Sequence, residues 1–101
     1  MNALILNGVV VNHPKTSETK DGALKTTFTI STDGRDLPLH FSVLSFGNAA
    51  STASKLIQGD EVLVSGRLVA SLITKTMSIV ANSIEILFEN GEQNDNESTK
   101  S

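Results

Sequence analysis

The sequence predicts an all-β fold, a five-stranded barrel with one short helix between the third and fourth strands. Three observations point there. Apolar and polar residues alternate along residues 23–31, as in a half-buried strand. Single glycines, Gly8 and Gly66, interrupt the first and fourth apolar runs, where a small and sharply coiled barrel needs a bend or bulge. Only one stretch, 48–57, repeats its apolar residues at helical spacing.

The first strand is read over 3–12, ALILNGVVVN, and His13-Pro14 ends it. The polar stretch 15–22 closes on Asp21-Gly22, a hairpin turn signal. The second strand follows, with Leu24, Thr26, Phe28 and Ile30 on one parity and Lys25, Thr27, Thr29 and Ser31 on the other. Residues 32–36, TDGRD, form a turn, and Pro38 delays the next strand. The third strand, 39–46, puts Leu39, Phe41 and Val43 inward and His40, Ser42, Leu44 and Phe46 outward. In the helix, Asn48 is a candidate N-cap, Ala50, Ala53 and Ile57 form the apolar face, and Gly59 is the stop. A fourth strand over 61–69, a turn near Thr74-Lys75 and a long last strand over 76–88 complete the chain. No internal repeat or Pro-rich linker is visible.

Composition bounds the function. The chain has 101 residues, one domain's worth, and no cysteine, which excludes a disulfide scaffold, a thiolate zinc site and a cysteine nucleophile. No apolar run approaches the roughly 18 residues that span a bilayer, and the N-terminus lacks the pattern of a signal peptide. The expectation is a soluble cytoplasmic protein, with an organelle left open. Residues 89–101, ENGEQNDNESTKS, hold four acids, one base and no large apolar side chain, which predicts a disordered acidic tail. The body, 1–88, then carries 7 bases and 7 acids and is neutral, so no simple electrostatic case for nucleic acid arises from net charge. His13 and His40 have no ligand at metal spacing beside them. Asp33 with Asp36, and Asp60 with Glu61, read as turn carboxylates. There is no G-x-S-x-G and no Gly-rich phosphate loop. The sequence predicts no enzyme, no cofactor and no metal.

Strand, strand, strand, helix, strand, strand is the order of an OB-fold barrel, with another small barrel or a sandwich as the competitor. Four segments then carry a resemblance. NALILNGVVVNHP (2–14), DGALKTTFTIST (21–32), HFSVLSFGNAASTASKLIQGDEVLVSGRL (40–68) and VANSIEIL (80–87) resemble, in order, bacterial single-stranded DNA-binding proteins. Short primosomal replication proteins are relatives of the same fold. The resemblance covers residues 2–88. It implies sequence-nonspecific binding of single-stranded DNA in replication, recombination or repair, by a homo-oligomer, dimer or tetramer. Replication proteins are the implied class of protein partner, and RNA is left open as a ligand.

In that family bases stack on aromatic side chains while basic residues follow the phosphates. Phe46, followed by Gly47, matches a stacking aromatic, and His40 falls where the family has Trp or another aromatic. Ile73 and, more loosely, Asp36 fall where further aromatics sit. Only four residues are aromatic in the whole chain, all Phe. Phe28 is read as core, and Phe88 as core or interface. Losing two or three stacks removes about 2–9 kcal/mol if each is used, so weak binding is expected. Arg67, out of phase with Val62, Val64 and Leu68, faces outward with Lys25, Thr27 and Thr29. Arg67, Arg35, Lys25 and Lys75 are the candidate phosphate contacts, with Lys20 weaker and Lys55 on the helix facing solvent. The connections TDGRDLPL and SLITKTM are short for the family, and the tail ends Ser-Thr-Lys-Ser without the family's apolar tip.

A second reading is an oligomerising, partner-binding module that has lost most DNA affinity. The first and last strands carry apolar side chains of both parities, Leu4 with Ile5 and Ile86 with Leu87. One set fills a barrel and the other needs cover.

Overall fold

The computed structural model describes residues 3–32, 39–71 and 76–89. The strands are β1 (Leu4–Val10), β2 (Lys15–Glu18), β3 (Leu24–Thr32), β4 (Leu39–Phe46), β5 (Glu61–Ser71) and β6 (Thr76–Phe88), with one helix, α1 (Gly47–Ala53), between β4 and β5. The sheet runs β1-β5-β6-β4-β3-β2, and an additional β1–β3 pairing closes it. β1 and β2 both pair with β3, Val10 opposite Ile30 and Lys15 opposite Thr27, so they are two halves of one bent strand. The result is the closed five-stranded barrel with a helix that the sequence predicts. All pairings are antiparallel except β4–β6.

The core contains Phe28, Ile30 and Val43, as the strand parities predict. Val10, Phe28, Ile30, Val43, Val62, Val64 and Ile79 are buried, with Leu4, Leu6, Phe41, Leu68 and Ile86 packed against them. Thr26 and Ser45 are buried polar residues satisfied locally. Ser45 Oγ donates to the Thr26 carbonyl at 2.9 Å, and Thr26 Oγ1 donates to the Ala50 carbonyl at 3.0 Å, tying β3 to α1. Two glycines allow the coiling. A Cβ on Gly66 would collide with the Val80 carbonyl oxygen and come within 2.9 Å of Ala81 Cα, at the point where the β5–β6 register shifts between Ser65 and Gly66. A Cβ on Gly8 would meet the Ser31 carbonyl at 2.9 Å, where β1 crosses to β3.

Four expectations need correction. Residues 15–18, read as part of a polar connection, form β2; the chain needs no apolar residue there because Thr16 meets Thr26, hydroxyl to hydroxyl, at 3.1 Å. The Asp21-Gly22 hairpin is present beyond it, with Gly22 at φ +85°. The helix starts one residue early, with Phe46 and not Asn48 at the N-cap and no side-chain cap bond, and it ends at Ala53 rather than 57. Beyond Ala53 the turn tightens to bonds three residues apart, Lys55 N to Thr52 O and Leu56 N to Ala53 O. That spacing buries Ala50, Ala53 and Leu56 and leaves Ile57 42% exposed. Gly59 N then bonds the Val10 carbonyl, and Asp60 Oδ2 accepts from Ile57 N at 2.9 Å, which folds the chain out of helix. Leu39, assigned inward, is 53% exposed at the strand end; Phe88, read as core or interface, is 55% exposed, which leaves the interface alternative. The turns around 33–38 and 72–75 and the tail from residue 90 lie outside the described residues.

Candidate nucleic-acid interface

The outer face of β2, β3, β4, β6 and β5 is built by strand parity. On β3 the alternation buries Thr26, Phe28 and Ile30 and turns Lys25, Thr27, Thr29 and Ser31 outward. On β4 it buries Val43 and Ser45 and turns His40, Ser42, Leu44 and Phe46 outward. Register aligns these into transverse rows. Phe46 stands opposite Lys25, which stands opposite Ser17. The next row reads Arg67, Val80, Leu44, Thr27, Lys15 across five strands. The row after it reads Val69, Ser78, Ser42, Thr29, and His40 pairs with Ser31 beyond that. At about 4.8 Å between strands, the row from Arg67 to Lys15 spans about 19 Å.

Phe46 is the last residue of β4 and is 42% exposed. Gly47, at φ +62°, turns the chain into α1 directly after it, so the ring stays on the outer face and does not tuck beneath the helix. His40 and Arg67 are exposed, and Lys25 is half-buried. The structure therefore brings Phe46, His40, Lys25 and Arg67 to one face. Arg35, Lys75, Ile73 and Asp36 fall outside the described residues. Lys20 lies at the β2–β3 hairpin and Lys55 is exposed just past α1, both off the rows.

Lys15 is the residue that sequence reasoning missed. It sits on β2 opposite Thr27, in line with Arg67. The signal was its shared parity with Ser17, hidden because no apolar residue marks KTSE as a strand. With Lys15 included, the face holds three permanent cations, Lys15, Lys25 and Arg67. Among the described residues no carboxylate occupies a position in these rows. Glu18 lies opposite Leu24, on the other parity, and Glu61 and Glu85 belong to the β1–β5–β6 side with Val9, Leu63 and Phe88. Three of the five described cations of the neutral body, Lys15, Lys25 and Arg67, thus stand on the face of Phe46. Among the described residues no three His, Asp or Glu side chains gather as a metal site, and no helix is long and apolar enough to cross a membrane.

Closure through β1, the parallel β4–β6 pairing and the helix between β4 and β5 define an OB-fold barrel. The single-strand binding protein family matches residues 1–93, and the chain belongs to that family. Solved structures agree in fold. The wild-type single-stranded DNA binding protein of Thermus aquaticus superposes with a TM-score of 0.79 at 26% identity, over 89% of this chain and 42% of its own. This chain thus spans less than half of that protein's length. The single-strand binding domain of a Synechococcus protein gives 0.77 at 23% identity, over 84% of this chain and 94% of its own. The second single-stranded DNA binding protein of Mycobacterium smegmatis gives 0.75 at 20%, over 85% and 88%. No curated protein sequence matches this chain.

Proposed function

We propose that this barrel binds single-stranded DNA without sequence preference on the outer face of β3, β4 and β5. The observation that carries the reading is the exposed Phe46 paired across strands with Lys25, on a face that also holds Arg67 and His40. Every base presents a π-face, so a ring such as Phe46 accepts any of them, at about 1–3 kcal/mol per base. The flanking cations neutralise phosphates, which is also blind to sequence. A single Phe and an imidazole supply less stacking surface than a four-aromatic face, so binding is weak for the family. Arg35 and Lys75 are further phosphate contacts in this reading. The setting is replication, recombination or repair, with replication proteins as partners.

The test is fluorescence anisotropy of a labelled oligo-dT at low salt. Saturable binding that weakens as salt rises supports the reading. No binding at tens of micromolar protein overturns it. An equal titration with oligo-U decides between DNA and RNA.

A second reading, an oligomerising module, is favoured by the opposite side of the barrel. There Ile5 is 68% exposed, and Val9, Leu87 and Phe88 are exposed with it. Ile5, Val9 and Leu87 are the outward parities of β1 and β6, whose inward neighbours Leu4 and Ile86 pack against the core, and Phe88 joins them past the register shift at the end of β6. Light scattering coupled to size exclusion tests self-association and separates dimer from tetramer. A Phe46→Ala chain that keeps its mass but loses DNA places the two functions on separate surfaces.

A further inference from the structure

Between β1 and β2 the bent first strand breaks at Asn12-His13-Pro14, and the break opens a cavity of about 170 Å³ on the outer face. Its walls include Asn12, His13, Lys15, Thr27, Thr29 and Ser42. That is an ammonium, an imidazole, three hydroxyls and an amide, with no carboxylate. The amide is already spent. Asn12 Oδ1 accepts from Thr29 N at 2.9 Å, and Asn12 Nδ2 donates to Thr29 Oγ1 at 3.2 Å. This two-bond clasp stands in for the strand ladder where the chain leaves β3, and Pro14 has no N–H with which to resume it. The clasp fixes the mouth of the notch and leaves the donors of Lys15, His13, Thr27 and Ser42 lining it.

We infer that this notch is a phosphodiester seat, placed between the two stacking positions of the DNA-binding face and resting on the reading given under Proposed function. Its place on β4 fixes the role. Ser42 lines the notch and lies two residues from His40 and four from Phe46, all on one parity. Along a strand these steps are about 7 and 13 Å. A nucleic-acid strand that stacks one base on Phe46 and another on His40 carries its backbone across the notch. Lys15 supplies positive charge there, and the hydroxyls and imidazole supply further donors to the non-bridging oxygens.

The experiment compares the full chain with Lys15→Gln, His13→Gln and, as a control, Lys55→Gln, on two ligands: oligo-dT and the same oligomer with uncharged methylphosphonate linkages. On the phosphodiester, Lys15→Gln weakens binding three- to tenfold and makes the negative slope of log K against log salt shallower by about 0.7, the release expected for one single-strand phosphate. His13→Gln weakens it two- to fivefold, and Lys55→Gln changes neither value. On the methylphosphonate oligomer, Lys15→Gln and the wild type bind alike. Binding by the wild type with an unchanged affinity and slope in Lys15→Gln overturns the seat alone. An equal loss on both oligomers overturns it too, because the lysine then acts through bases or structure. Failure of the wild type to bind oligo-dT removes the DNA-binding reading itself, and the seat with it.

Discussion

Phe46 and Lys25 face one another across adjacent antiparallel strands, both on the outer side of the barrel. Directly opposed Cβ atoms lie about 4.5–5.5 Å apart. In the proposed binding mode, a base stacked on the Phe46 ring brings its own phosphate within reach of the Lys25 ammonium, so one cross-strand pair would supply both halves of a sequence-blind contact.

Phe46→Ala tests the stacking half. Affinity for oligo-dT falls about 5- to 150-fold, the equivalent of one lost stack. Because the ring is 42% exposed and outside the core, thermal stability changes little. Anisotropy and a melting curve on the same variant read both effects. A collapse of stability without a selective loss of binding would contradict the placement.

His40→Trp is the gain-of-function counterpart. Position 40 is exposed, lies opposite Ser31 and shares the parity of Phe46, so a larger ring fits without entering the core. Affinity rises about fivefold or more. Quenching of the new indole on titration with oligo-dT reports stacking directly.

Lys25→Ala and Arg67→Ala test the electrostatic half. Each makes the negative slope of log K against log salt shallower by about 0.7 if it neutralises one phosphate. The two stand in different rows, so their effects on the slope add. Titrations from 20 to about 200 mM salt measure this.

Gly66→Ala tests the barrel. The added methyl meets the Val80 carbonyl at the β5–β6 register shift, so a strand must move. Destabilisation of about 2 kcal/mol or more is expected, with a lower melting temperature and fewer protected amides along β5 and β6.

Much of this was legible because a period of two is hard to disguise. The alternation over 24–31 placed Phe28 and Ile30 in the core and Lys25 outside, and the outward parity of Phe46 followed from Val43. β6 occupies the predicted span because its apolar run has a clear start and end. What stayed hidden depends on tertiary contacts. The early end of α1 is set by Gly59 bonding the Val10 carbonyl, a partner far away in the chain. β2 exists because β3 offers it a ladder and a hydroxyl at Thr26, not because KTSE favours a strand. Lys15 was missed with it. The neutral net charge concealed the grouping of Lys15, Lys25 and Arg67, because a sum over residues carries no information about which strand face each occupies.

β1 has a consequence for the order of events as the chain leaves the ribosome. It is made first, yet it closes the barrel by pairing with β5, Leu4 opposite Gly66, and can do so only once most of the domain has been synthesised. Until then Leu4, Ile5 and Leu6 wait without β5, while Val9 and Val10 already have β3 to pair with. Such long-range closure is slow compared with hairpin formation. The β3–β4 hairpin that carries Phe46 and Lys25 can form before it. The nascent chain thus assembles part of the surface proposed for DNA while its seam is still open, and chaperone capture or premature self-association of β1 is the hazard of that interval.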